Sequence, residues 1–168
     1  MADSANVTIR EALADDVGAL HEALLALARH TSDEHKIEST PADLLAFGFG
    51  EQPAFEALIA EVDGAFAGMC LSFPSFSTWR GQPGIYVQDL YVDATFRGRR
   101  IGERLLQAAA ARGYASGARY LRLSVDQANL SAQAFYERVG ITHSRDEQIH
   151  MMRGERFEAF ARQGMPAE

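Results

Sequence analysis

Between Gln88 and Leu106 the chain reads QDLYVDATFRGRRIGERLL, an apolar strand, a short Arg/Gly loop and then a helix. Within it, Arg97-Gly98-Arg99-Arg100-Ile101-Gly102 has the composition of an anion cradle. Glycine lets the backbone turn tightly and bring its N–H groups against a ligand. The helix that follows adds unpaired N–H donors and the positive end of its dipole. Arg97, Arg99, Arg100 and Arg104 crowd that helix start, where cations oppose the dipole. A bound anion such as a pyrophosphate offsets the repulsion. The plain alternative is a solvated basic turn that binds nothing.

A second constellation lies on the helix predicted from Asn129 to Val139, ended by Gly140. Asn129 and Tyr136 are seven residues apart, so they point nearly the same way, about 10 Å apart along the axis. Tyr136 lies roughly 40° from Ala132 and 100° from Phe135 around that axis, at the edge of an apolar stripe of Ala132, Phe135 and Val139. An edge position suits a phenol with its ring packed and its hydroxyl free for chemistry. On the residues alone, the plainer reading is a half-buried core tyrosine with no role.

Other chemistries find no support. Cys70, the single cysteine, lies in the apolar run AFAGMCLSF and reads as a buried strand thiol. His143 and His150 stand apart from any cluster with ligand spacing, so no metal is expected. No Ser/His/Asp arrangement is indicated.

The elements that must hold these groups follow from periodicity. Asn6–Arg10 alternates as a first strand, and Asp15 and Asp16 favour a helix start ahead of the stripe Val17, Leu20, Leu24 and Leu27. Ser39-Thr40-Pro41 offers a cap and a first-turn proline for a short helix to about Phe47. Phe55–Val62 and Ala65–Phe73 read as a hairpin joined by Asp63-Gly64. A polar loop over about Pro74–Pro83 carries Trp79, and Gly84–Val92 reads as a central strand. A helix from about Arg99 to Ser116, a strand over Tyr120–Val125, the Asn129–Val139 helix, a last strand over Gln148–Met152 and a short helix over Glu155–Arg162 complete the order. The result is one α/β (mixed α+β) domain spanning 1–168, its core about 6–153 and a C-terminal helix and tail over 154–168. Six to seven strands form a twisted mixed sheet flanked by helices. It is not the doubly wound dinucleotide fold, since no G-x-G-x-x-G follows a first strand.

Composition bounds the partners. The net charge of -7 argues against nucleic acid and favours cationic small molecules, so the basic loop opposes the sign of the whole chain. No apolar run approaches the roughly 18 residues that span a bilayer, so no membrane partner is expected. The polar, acidic N-terminus lacks a signal-peptide core, and the expectation is a cytoplasmic protein.

On these motifs the chain resembles the GNAT superfamily of N-acetyltransferases. Their acetyl-CoA site is a strand, a [R/Q]-x-x-G-x-[G/A] loop and a helix; here Arg97 fills the first position, Gly102 the last, and Arg100 replaces the middle glycine. Asn129-Leu130-Ser131-Ala132-Gln133-Ala134-Phe135-Tyr136 with Gly140 is similar to the family's N-x-x-[AS]-x-x-[FL]-Y-x-x-x-G block. DLLAFGFGEQP from Asp43 and STWRGQPGIYVQDLYV from Ser77 resemble segments of the diamine and thialysine N-acetyltransferase branch.

The resemblance implies acetyl transfer from acetyl-CoA, as co-substrate and without a metal, to a small primary amine (a diamine, a lysine analogue or another amino compound) by direct attack in a ternary complex. It implies that Leu90, Tyr91 and Val92 bind the cofactor through their backbone, with Tyr91 or Leu90 donating to the thioester oxygen. The loop Arg97, Gly98, Arg99, Arg100, Ile101, Gly102 and Glu103 would hold the pyrophosphate. Asn129 would contact the cofactor near the pantetheine, and Tyr136 would act as general acid. Asp89 is the nearest carboxylate to orient the amine and take its proton, directly or through water. His30, Thr31, Glu34, Trp79, Gln88 and Asp89 are the expected acceptor pocket. Two departures bear on the acceptor: Gln88 stands where the branch has Glu, and His30-Thr31 where it offers an aromatic–acid pair. Both argue against a long polyamine unless Asp33, Glu34 and Glu38 compensate. Branch relatives are typically homodimers, which is the expected assembly. The rival readings are a protein N-terminal or lysine acetyltransferase, and a non-catalytic acyl-CoA-binding domain.

Overall fold

Asp63 and Gly64 both sit at positive φ, 51° and 83°, between Val62 and Ala65, which pair directly. This is the two-residue turn whose twist matches the strands it joins, and the dipeptide Asp-Gly is its sequence signal. The hairpin it closes is the middle of a five-stranded sheet.

The computed structural model describes residues 6–165, so the first five and last three residues of the chain, including the end of the predicted tail, lie outside it. In chain order the elements are β1 (Val7–Glu11), α1 (Val17–Thr31), α2 (Pro41–Gly48), β2 (Glu56–Val62), β3 (Ala65–Ser77), β4 (Gln82–Val92), α3 (Ile101–Ala115), β5 (Leu121–Leu123), α4 (Leu130–Arg138) and α5 (Glu155–Gln163). The sheet order is β1-β2-β3-β4-β5, antiparallel throughout except for the parallel β4–β5 pair.

The alternation along β2 decides the two layers. Leu58 and Ala60 face α3, joining Cys70, Val87, Ile101, Leu105 and Ala109. Ile59 faces the other way, joining Leu20, Ala23, Leu24, Leu44, Met69 and Leu71 under α1 and α2. The α2 start follows the predicted cap: the Asp43 N–H donates to Thr40 Oγ1 at 3.2 Å and the Thr40 N–H donates to Asp43 Oδ2 at 2.8 Å. Gly68 in β3 keeps the central strands close, since a Cβ there would stand 2.5 Å from the Tyr91 carbonyl oxygen.

Three expectations about the sheet need correction. The polar loop expected over Pro74–Pro83 is mostly strand, because β3 runs to Ser77 and β4 starts at Gln82. Phe73 stacks on Tyr86 across the pair at 5.0 Å and extends the ladder past both prolines. β5 is three residues long rather than six, since only Leu121–Leu123 pair with Ile85–Val87. Gln148–Met152 forms no strand. It pairs with no strand among the described residues, although Glu147 just before it accepts from Arg122 of β5 at 3.2 Å, and Ile149 and Met151 are exposed. The sheet therefore has five strands, not six or seven. Among the described residues no helix is long and apolar enough to cross a membrane.

Candidate active site

The site begins with a fault in β4. Leu71 pairs with Asp89 but Ser72 pairs with Val87, so Gln88 is an extra residue, a β-bulge. Beyond it the ladder resumes with reversed facing. Asp93 donates its N–H to Ala67 O at 2.9 Å, and the alternation of antiparallel pairs then turns the backbone groups of Tyr91 and Asp89 toward β3. Those of Leu90 and Val92 turn to the opposite edge. Among the described residues β5 covers that edge only as far as Val87, so the Leu90 N–H and carbonyl and the Val92 N–H face it without a strand partner, while the Val92 carbonyl accepts from Arg97 Nε at 3.5 Å. Of the two expected donors to a thioester oxygen, Leu90 has its N–H available; the Tyr91 N–H belongs to the sheet.

The loop after β4 carries the anion-binding geometry. Asp93 accepts from the Thr95 N–H at 2.8 Å and fixes the turn, and Gly98 follows at φ 81°. Arg100 lies at φ 59°, keeping the left-handed turn although it is not glycine. The four arginines separate. Arg97 and Arg100 line the cleft. Arg99 turns away, its guanidinium 5.8 Å from the Phe96 ring centroid, so its side chain does not join the site as expected. Arg104 donates to Val7 O at 2.9 Å and ties α3 to β1.

α4 closes the other side. Asn129 is its cap, Oδ1 accepting from the Ala132 N–H at 3.1 Å and from Ser131 Oγ at 3.2 Å. Its carbonyl oxygen is thus used in folding, which leaves the amide N–H groups for a ligand. Gly102 lets α3 and α4 meet: a Cβ there would stand 3.3 Å from Phe135 Cζ and 3.5 Å from Val92 Cγ2. Between β4, α3 and α4 lies a cleft of about 820 Å³. Its walls bring together Leu90, Tyr91 and Val92, the loop Arg97–Glu103 apart from Arg99, Asn129 and Tyr136. Leu27 and His30 reach it from α1.

Sequence reasoning passed over Ser131 and Arg138, and assigned Leu27, Ala132, Phe135 and Val139 to packing alone. The signal was present: Ser131, Phe135 and Arg138 follow an i, i+4, i+7 pattern on one helix face. With Arg97 and Arg100, Arg138 makes the wall cationic; Glu103 is the acid among the lining residues.

Asp89 and Tyr136 carry the titratable chemistry. Burial pushes the half-buried Asp89 carboxyl up to about 6. Burial, then the charge of the Cys70 thiol and of Asp89, pushes the Tyr136 phenol up to about 12. The Asp89 charge thus acts on both Tyr136 and Cys70, with Cys70 itself buried and pushed up to about 12; Tyr136 lines the cleft, whereas Asp89 and Cys70 are not among its lining residues.

The rest of the expected acceptor pocket is not assembled. Trp79 is fully exposed at the β3–β4 hairpin tip, and the stretch of β4 from Gln82 to Asp89, at about 3.3 Å per residue, separates that tip from the cleft. Gln88 points outward at the bulge and is exposed. Thr31 spends its hydroxyl on Ala28 O at 3.2 Å. Glu34 is paired with Arg29 at 2.8 Å and Asp33 with Lys36 at 2.6 Å. Among the described residues no group of three His, Cys, Asp or Glu could hold a metal.

The cleft fits a long, polyanionic, amide-bearing cofactor. Free strand-edge backbone, a glycine-bearing turn into a helix and cationic walls lie on one continuous surface. The model of the acetyltransferase (GNAT) family matches residues 20–141. The chain is 33% identical over 142 residues to the thialysine N-epsilon-acetyltransferase of Bos taurus, covering 80% of this chain and 83% of that one. The Sus scrofa protein of the same name is 33% identical over 144 residues, at 81% and 84%. Among solved structures, a Vibrio cholerae integron cassette protein superposes with a TM-score of 0.76 at 20% identity, covering 92% and 97%. An aminoglycoside N-acetyltransferase, AAC(6')-Iy, in complex with CoA does so with a TM-score of 0.72 at 16% identity, covering 92% and 99%.

Proposed function

The chain belongs to the acetyltransferase (GNAT) family, and from that premise we propose that it moves the acetyl group of acetyl-CoA onto a small primary amine by direct attack in a ternary complex. The observation that carries this reading is the meeting of the free β4 edge, the Arg97–Glu103 turn and Tyr136 in one cleft.

Acetyl-CoA, when bound, supplies an activated acyl group on a thiol leaving group. Leu90 and Val92 hold the pantetheine amides, while the α3 N-terminus with Arg97 holds the diphosphate. The Leu90 N–H is the fixed donor for the thioester oxygen. Asp89 accepts the proton of the attacking ammonium group. Tyr136 keeps its proton until the C–S bond breaks and then gives it to the departing sulfur. Much of the rate comes from holding two reactants in one geometry.

The acceptor carries one amine to be acetylated and no second cation that needs its own carboxylate. Asp33 and Glu34 are already ion-paired, Glu38 is exposed, and Gln88 is neutral and exposed, which leaves the half-buried Asp89 as the carboxylate for the amine. A lysine analogue or another amino compound suits this better than a long polyamine. The relatives named for thialysine support the same choice.

The same reading takes the chain as a homodimer closed by its C-terminal segment. Ile149, Met151, Phe157 and Phe160 are exposed there, and among the described residues β5 is paired along one edge only.

A thiol-release screen over amino acids, lysine analogues, diamines, aminoglycosides and peptides tests the reading. CoA thiol should appear with an amino acid or lysine analogue and faster than with spermidine. Absence of release with every amine, despite binding of acetyl-CoA, would leave a binding domain instead of an enzyme.

A further inference from the structure

Arg100 occupies a backbone conformation that favours glycine, at φ 59°, and its side chain has one conspicuous engagement. The guanidinium grips Glu103 with two parallel bonds, Nε to Oε2 at 2.9 Å and Nη2 to Oε1 at 2.7 Å. Gln107 Nε2 adds a third donor to Oε1 at 3.2 Å. Glu103 lies in the first turn of α3, where the helix dipole favours a carboxylate, and Arg100 holds its carboxyl below the usual carboxylate range. Both residues line the cleft. The turn therefore carries its own anion beside the donors that a diphosphate needs. Left unpaired, the Glu103 carboxylate would compete for the α3 N–H groups and repel the ligand.

We infer that Arg100 is a positioning residue for the cofactor phosphates that acts through Glu103, holding and neutralising its carboxylate so that the helix N-terminus stays open to the diphosphate. The inference rests on the acetyl-CoA reading of the cleft. It also accounts for an arginine at a glycine-like position: the two residues depart from a plain anion cradle as a pair, the cation cancelling the acid three residues on. A glycine at 100 would relax the backbone but release the carboxylate.

A double-mutant cycle read by titration calorimetry with CoA, without any amine, tests it. Arg100→Gly should raise the CoA dissociation constant about tenfold, and the loss should shrink at high salt, as an uncompensated charge requires. In a Glu103→Gln background the same Arg100→Gly change should cost less than about threefold, the signature of coupling through a shared partner. Because glycine suits φ 59°, Arg100→Gly should not lower the melting temperature. Should that variant prove unstable, the same cycle with Arg100→Asn, which tolerates left-handed backbone, replaces it. An undiminished loss in the Glu103→Gln background would mean that Arg100 touches the phosphates itself, and would overturn the inference. So would Arg100→Gly binding like the parent. If the parent chain bound no CoA, the acetyl-CoA reading would fall first.

Discussion

The Asp89 carboxylate lies close enough to the Tyr136 phenol to oppose its ionisation, behind burial and the Cys70 thiol in weight. Burial alone pushes Asp89 up to about 6, and the combined causes push Tyr136 up to about 12. At neutral pH the two groups thus stand in opposite protonation states, a carboxylate ready to accept a proton and a phenol that holds one. That is the division of labour amine acetylation needs, and each half can be tested separately.

The Asp89 half predicts an acid limb. With the carboxyl at about 6, activity under limiting acceptor should fall as pH drops through 6, because the protonated acid cannot take the amine's proton. Asp89→Asn should lower kcat/KM for the amine by about 10²- to 10⁴-fold, the usual worth of a general base, and abolish the limb. An unaltered limb in the variant would remove Asp89 from the chemistry.

The same shift predicts a stability effect of opposite sign. A folded-state value of about 6 against an ordinary 3.8 means the folded protein binds the proton more tightly than the unfolded chain. Stability therefore falls as pH rises from 3.8 through 6, and above 6 the ionised Asp89 bears the full cost. Asp89→Asn should make the protein more stable at pH 7.5 by about 1–3 kcal/mol in urea denaturation. The gain should shrink toward zero near pH 4. A gain that persisted unchanged at pH 4 would point to better packing instead.

Tyr136 is tested by removing one atom. Tyr136→Phe keeps the ring against Phe135, whose centroid lies 5.3 Å away, and takes only the proton donor. Turnover should fall at least about tenfold, within the range for a lost general acid, while the CoA dissociation constant stays near that of the parent. With the phenol at about 12, the parent should show no loss of activity from this group between pH 7 and 9. Unchanged turnover in the variant would end the assignment.

What the sequence disclosed and what it withheld divide along physical lines. Asp63-Gly64 encodes its own φ values, and the Thr40–Asp43 cap is local, so both were legible. Leu90–Val92, Arg97–Glu103 and Asn129–Tyr136 could be named because the resemblance rests on short, contiguous motifs, and apart from Arg99 the residues expected of them line one cleft. Trp79 was misjudged because its distance depends on how far β3 and β4 extend, which is a cross-strand property. The outward turn of Gln88 depends on a bulge opposite Leu71 and Ser72, and no residue near Gln88 announces it. The strand expected over Gln148–Met152 failed for a related reason: a period-2 pattern needs an edge to pair with, and the sequence of one chain does not say whose edge that is.

That last failure leads to the assembly. Phe157, Phe160 and Ala161 repeat at i, i+3, i+4 along α5, yet every residue of that helix is exposed. Burying such a face against a second copy, beside the open edge of β5, resolves both the bare helix and the unpaired segment before it, and a two-fold interface would do so twice over. Light scattering at micromolar concentration should give twice the chain mass of 18.4 kDa. Each phenylalanine contributes about 1.5–3 kcal/mol when fully buried, so removing four across a two-fold interface forfeits roughly 6–12 kcal/mol, comparable to a whole micromolar affinity. Phe157→Asp with Phe160→Asp should therefore yield a folded monomer, while the CoA dissociation constant, set by β4, α3 and α4, stays within about threefold of the parent, since sites that share no partners act independently. A parent chain that is monomeric at these concentrations would sink the assembly outright. A variant that remained dimeric would show that the contact lies elsewhere on the surface.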